Sequence, residues 1–186
     1  MIGLVVIVVI VAVLLLMTVG VYNRLVGLRQ RANQAFADID VQLRQRHDLI
    51  PNLVETVKGY ATHERGTLEA VTNARNAAVA AQGVEGKVQA ENALTGALRQ
   101  LFAVAEAYPD LKANQNFLQL QSELADIENK LAAARRFFNS AVGEFNAAIQ
   151  QFPAVLFAAP MGFHERAFFD LGEERAAVGE APQVKF

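Results

Sequence analysis

The chain has 186 residues, 53% of them hydrophobic, and a formal net charge of −2. That length holds one domain plus an anchor and excludes two large domains. The near-neutral charge excludes a global field that would draw in nucleic acid or an acidic ligand. The absence of cysteine excludes disulfides, thiolate metal sites and a cysteine nucleophile.

The first element is the run IGLVVIVVIVAVLLLMTVGVY, which carries no charged side chain and is followed by Asn23 and Arg24. At roughly 21 residues it is long enough to cross a bilayer as a helix, with Tyr22 placed as an interfacial aromatic. A cleaved signal peptide wants a basic n-region, a shorter apolar core and a small-x-small cleavage site. No Lys or Arg precedes this run and no A-x-A motif lies near Gly20. The reading is therefore an uncleaved anchor. Arg24, Arg29 and Arg31 follow it before the first acid, Asp38. The positive-inside rule then predicts Met1 outside and the bulk of the chain in the cytoplasm.

The second stretch places Leu25, Leu28, Ala32, Phe36, Ile39, Leu43, His47, Ile50, Val54, Val57 and Ala61 at helical spacing. Pro51 removes one backbone donor, which predicts a kink or restart near Ile50. Leu68, Val71, Ala74, Ala78 and Ala81 continue the series, with a further break at Gly66 expected. Gln82 to Gly86 reads as a turn. A third helix follows through Leu94, Leu98, Leu101, Ala105 and Tyr108, and Pro109-Asp110 ends it. In the fourth, Phe117, Leu120, Leu124, Ile127, Leu131, Ala134, Phe138, Ala141, Phe145, Ala148 and Phe152 alternate three and four apart. This is a heptad seam, found both in coiled coils and inside long-helix bundles. Pro153 stops it. The remainder is irregular but rich in phenylalanine, with Leu171 beside Phe168 and Phe169. It is read either as folding back onto the bundle or as meeting another subunit or the membrane.

The expected architecture is all-α: a transmembrane helix at 1–23, an antiparallel three- or four-helix bundle with long helices at 24–152, and an irregular apolar segment at 153–186.

Catalytic constellations are missing from the sequence. None of His47, His63 and His164 has a glutamate three residues before it, and His63-Glu64 lacks the second histidine of a zinc-protease motif. Neither Ser122 nor Ser140 lies in a nucleophile elbow, and no glycine spacing suits a dinucleotide or a phosphate loop. His47, on the apolar stripe, reads as a hydrogen-bonded core histidine. Asp40 reads as pairing with Arg44 one turn later on a solvated face. Arg44, Arg46 and Lys58 form at most a solvated basic face, without the aromatics of a nucleic-acid surface.

Two stretches, Tyr22-Asn23-Arg24-Leu25-Val26 and the longer run from Ile39 through Arg46-His47-Asp48-Leu49-Ile50-Pro51-Asn52 to Tyr60, closely resemble the bacterial LemA family. So do His63-Glu64, Ala74-Arg75, the block from Glu106 to Ala113, Glu128-Asn129, Phe138-Asn139, Phe152-Pro153 and Gly162-Phe163. The match runs from the anchor to about residue 170. The resemblance implies a membrane-anchored helical bundle of four helices with its N-terminus outside the cell, and carries over no catalytic residue. In the central block, Asp48 and Asn52 flank the proline, where short polar side chains suit the backbone groups Pro51 leaves unpaired.

The functional expectation is a non-enzymatic, membrane-anchored helical scaffold that self-associates at the bacterial cell membrane. The alternative is an adaptor that recruits another membrane protein, such as a sensor or a protease. Arg46, Asp48, Asn52 and Lys58 are the candidate interaction surface; Phe157, Phe163, Phe168 and Phe169 are the candidate oligomer contacts. The expected partners are the lipid membrane, further copies of the chain and a membrane protein. No cofactor, metal, catalytic residue or nucleic acid is expected.

Overall fold

The computed structural model describes residues 1–170. Among them the regular structure is all helical: α1 (Ile2–Lys58), α2 (Arg65–Ala80), α3 (Gly83–Ala105), α4 (Pro109–Lys112) and α5 (Gln115–Gln150), then a 3-10 turn at Ala154–Leu156. Leu171 and the rest of the C-terminal segment lie outside the described residues.

Three boundaries differ from the sequence reading. Helix α1 does not restart at Pro51 but runs through it to Lys58. The break expected at Gly66 falls between α1 and α2, and Gly66 itself lies in the first turn of α2. The link between α2 and α3 is only Ala81 and Gln82. Gly83 makes so short a link workable: its φ of +71° is left-handed backbone that favours glycine. So tight a connection sets α3 antiparallel to α2, against which it packs. Helix α5 begins where the Asn114 side chain accepts a hydrogen bond from the Phe117 backbone N–H at 3.1 Å, an N-cap.

The chain divides into two compact units. Among the described residues, one comprises Met1–Asp38 and Ala134–Ala167, the other Ile39–Ala133 and residues 168–170.

In the first unit, the start of α1 is a helix long and apolar enough to cross a membrane. Its side chains are not those of a soluble core helix: Leu4 is 71% exposed and Leu16 74%. Beyond the span, α1 pairs with the second half of α5. Phe36 meets Phe138 with ring centroids 5.5 Å apart. Arg31 Nη1 lies 2.9 Å from Glu144 Oε2. As numbers fall on α1 they rise on α5, so the pair is antiparallel. A small core of Leu25, Phe145, Ala148, Ile149, Ala154, Ala158 and Phe163 closes it.

In the second unit, Ile50, Leu53 and Val57 of α1 pack with Leu68 and Val71 of α2, Leu94, Leu98 and Leu101 of α3, Leu111 of α4, and Phe117 and Leu124 of α5. Four longer helical segments thus share one apolar core, each contributing the stripe its period predicts. Seam residues Phe117 and Leu124 belong to this core, and Phe145 and Ala148 to that of the first unit. From Phe117 to Ala148 the heptad pattern is therefore satisfied within the chain, whereas its last member, Phe152, is exposed.

Candidate functional site

The interior of the second unit holds an ionic cluster. Arg46 and His47 are consecutive on α1, so their side chains leave the helix about 100° apart. Glu91 on α3 answers both. Its Oε2 accepts from Arg46 Nη1 at 2.7 Å, and its Oε1 lies 2.6 Å from His47 Nε2. Thr95, one turn along α3 and on the same face, accepts from Arg46 Nη2 at 2.9 Å. Glu128 of α5 approaches the same Nη2 at 2.7 Å. Arg46, His47 and Glu91 are 2%, 6% and 1% exposed. Buried charges persist only when paired and hydrogen-bonded, and Arg46 and Glu91 are paired directly with each other.

Beside this cluster lies a cavity of about 340 Å³, lined by Asp40, Arg44, His47, Asp48, Arg75 and Lys87 among others. Its charges are largely committed. Lys87 Nζ pairs with Asp40 Oδ1. Arg75 Nε donates to the His47 carbonyl at 3.3 Å, and Arg75 Nη1 donates to Asn76 Oδ1, also at 3.3 Å. Among the described residues no group of three or more His, Cys, Asp or Glu side chains is arranged to hold a metal ion.

The structure distributes the predicted site residues unevenly. Asp48, Asn52 and Lys58 are exposed, and Asp48 and Asn52 share a face at i, i+4 spacing. Arg46 does not join them: its turn of α1 faces inward, and it belongs to the buried cluster. His47 takes the core position read for it. Asp40 pairs across to α3 rather than with Arg44. Of the four phenylalanines, Phe163 and Phe169 are each 2% exposed, Phe157 is half-buried and Phe168 is 51% exposed. Phe163 and Phe169 are thus interior residues, because the segment after Pro153 folds back.

Sequence reasoning missed Glu91, Thr95 and Glu128. Glu91 had a legible signal: it stands three residues before Leu94, on the apolar stripe of α3. An acid on one stripe and an Arg-His pair on another are the two halves of a buried ion pair. Which helix faces which is a tertiary matter.

The family model described as the LemA family matches residues 35–186. Among curated proteins, the chain is 25% identical to "Magnetosome protein MamQ" of Magnetospirillum gryphiswaldense, over 80% of this chain and 64% of that protein. It is 24% identical to "Magnetosome protein MamQ 2" of Paramagnetospirillum magneticum, over 88% of this chain and 68% of that protein. It is 26% identical to "Protein LemA" of Metamycoplasma hominis, over 83% of this chain and 71% of that protein. The chain thus spans just under two thirds of the length of the first of these relatives.

Proposed function

Since the chain belongs to the LemA family, we propose that it works as a membrane-anchored docking protein of the bacterial inner membrane, non-enzymatic, whose helical domain recruits another membrane protein. In this reading the N-terminus lies outside and the rest of the chain in the cytoplasm, which Arg24, Arg29 and Arg31 after the apolar run support through the positive-inside rule. One observation carries the docking reading. Helix α1 bears both the span and the exposed residues Asp48, Asn52 and Lys58 on one continuous element, Ile2–Lys58. Meanwhile both carboxylate oxygens of Glu91 are occupied by side chains of the same chain, which gives that cluster a structural role.

Self-association is the second reading. The heptad seam supports it less than its pattern suggests, since Phe117, Leu131, Phe138 and Phe145 are buried in the chain. What favours it is Phe137 and Phe168, 53% and 51% exposed. A photocrosslinker at Asn52 in the full-length protein in cells, with light scattering in mild detergent, separates the two. A crosslinked product with a different membrane protein supports docking. Adducts with further copies alone, together with large regular particles, transfer the role to self-association.

A further inference from the structure

The segment after α5 is folded inside out for a water-facing loop. Its small residues Ala154 and Ala158 are buried, each 4% exposed, whereas Phe152, Val155, Leu156 and Met161 are 76%, 51%, 69% and 40% exposed. Between Glu144 and Glu165 there is no formally charged residue. The exposed side chains are not loose ends. Asn146 clasps the far end of the segment: its Nδ2 donates to the Arg166 carbonyl and its Oδ1 accepts from the Arg166 N–H, both at 2.9 Å. The Phe163 N–H donates to the Ala158 carbonyl at 2.9 Å. A loop held this firmly displays its apolar residues by construction.

Its position says what covers them. Phe163 packs edge-on against Tyr22, ring centroids 5.6 Å apart, and the Arg29 guanidinium lies 5.0 Å from the centre of the Phe163 ring. The antiparallel register set by Phe36 with Phe138 and Arg31 with Glu144 brings the end of α5 to about the level of Arg24. That is where the charge-free run ends. The loop's apolar surface therefore continues that of the span, whose Met17, Val19 and Tyr22 are 46%, 56% and 41% exposed. Exposed Arg24 supplies a cation at the depth of lipid phosphates.

We propose that the loop 151–162 is a second membrane contact, in which Phe152, Val155, Leu156 and Met161 insert into the headgroup–acyl boundary of the bilayer crossed by α1. The occupant is lipid because the patch is continuous with the lipid-facing surface of the span and lies at its exit. The proposal rests on reading Ile2–Tyr22 as a membrane span.

The absence of cysteine makes the test direct. Phe152→Cys and Leu156→Cys are each labelled with an environment-sensitive fluorophore in the full-length protein. The protein is reconstituted in phosphatidylcholine–phosphatidylglycerol vesicles carrying a nitroxide on a shallow acyl carbon. Met17→Cys reports the span. Gln34→Cys, exposed and roughly 18 Å farther along α1 than Tyr22, reports water. The expected result is blue-shifted emission at 152 and 156, with nitroxide quenching several-fold stronger than at 34. Quenching at 17 with water-like emission at 152 and 156 overturns the proposal and leaves the span intact. A blue shift at 152 and 156 without lipid quenching overturns it in favour of protein contact. No quenching at 17 removes the span, and the proposal with it.

Discussion

Arg75 donates from Nε to the backbone carbonyl of His47 at 3.3 Å. That carbonyl is the acceptor which, in an unbroken helix, would take the N–H of residue 51. Residue 51 is proline and has none to give. A side chain from α2 thus supplies the hydrogen bond that Pro51 withholds from α1, and α1 continues to Lys58. Asp48 and Asn52 flank the proline in sequence, but the donor is Arg75, which is distant in the chain.

This relationship makes a double-mutant prediction. Arg75→Ala lowers stability by about 1–2 kcal/mol, since an acceptor loses a charge-assisted donor. Pro51→Ala raises stability, because an alanine N–H bonds the His47 carbonyl itself. In the Pro51→Ala background the cost of Arg75→Ala shrinks to less than half. Denaturant unfolding of the four proteins in mild detergent measures this. Equal costs in both backgrounds would disprove the link.

Glu91 neutralises the interior. Glu91→Ala leaves Arg46 with the half-exposed Glu128 as its remaining acidic partner, beside Thr95, and leaves His47 without its carboxylate. The expected loss is about 3–5 kcal/mol, the range for breaking a buried ion pair. Replacing Arg46 by Met together with Glu91 by Leu recovers most of it, because apolar groups of similar size fill the space without desolvation cost. The same unfolding measurement decides. If the double variant is no more stable than Glu91→Ala, the cost lies in packing rather than in unpaired charge.

The seam is an internal feature, and Phe138→Ala tests that. Phe138 is fully buried and meets Phe36. Its truncation is expected to cost about 3–5 kcal/mol in stability. The mass of the particle in mild detergent should stay unchanged. A drop in mass without loss of stability would instead make the seam an intersubunit contact.

Asn146 holds the C-terminal segment through two backbone hydrogen bonds to Arg166. Asn146→Ala leaves one N–H and one carbonyl of Arg166 without that partner, at about 1–3 kcal/mol. Hydrogen exchange should quicken at the Phe163 and Arg166 amides while the amides of α2 and α3 keep their protection. Uniform acceleration across the chain would show that the clasp belongs to the global fold rather than to its own unit.

What the sequence determined by itself was local. A charge-free run of membrane length, stripes of period 3.6, a seam from Phe117 to Phe145 and turn residues around Gln82 and Pro109 are properties of neighbouring residues, and helices follow from them. The core position of His47 was also legible, because an imidazole on an apolar stripe must go inward and find a partner. Tertiary structure decided the rest. It alone set Glu91 against Arg46 and His47, turned the seam into an internal one, and sent Phe163 to Tyr22 while leaving Phe152 and Leu156 outside. Helical periodicity states which face of a helix is buried, but not which other face buries it. That pairing depends on contacts between residues far apart in the chain, which no local pattern records.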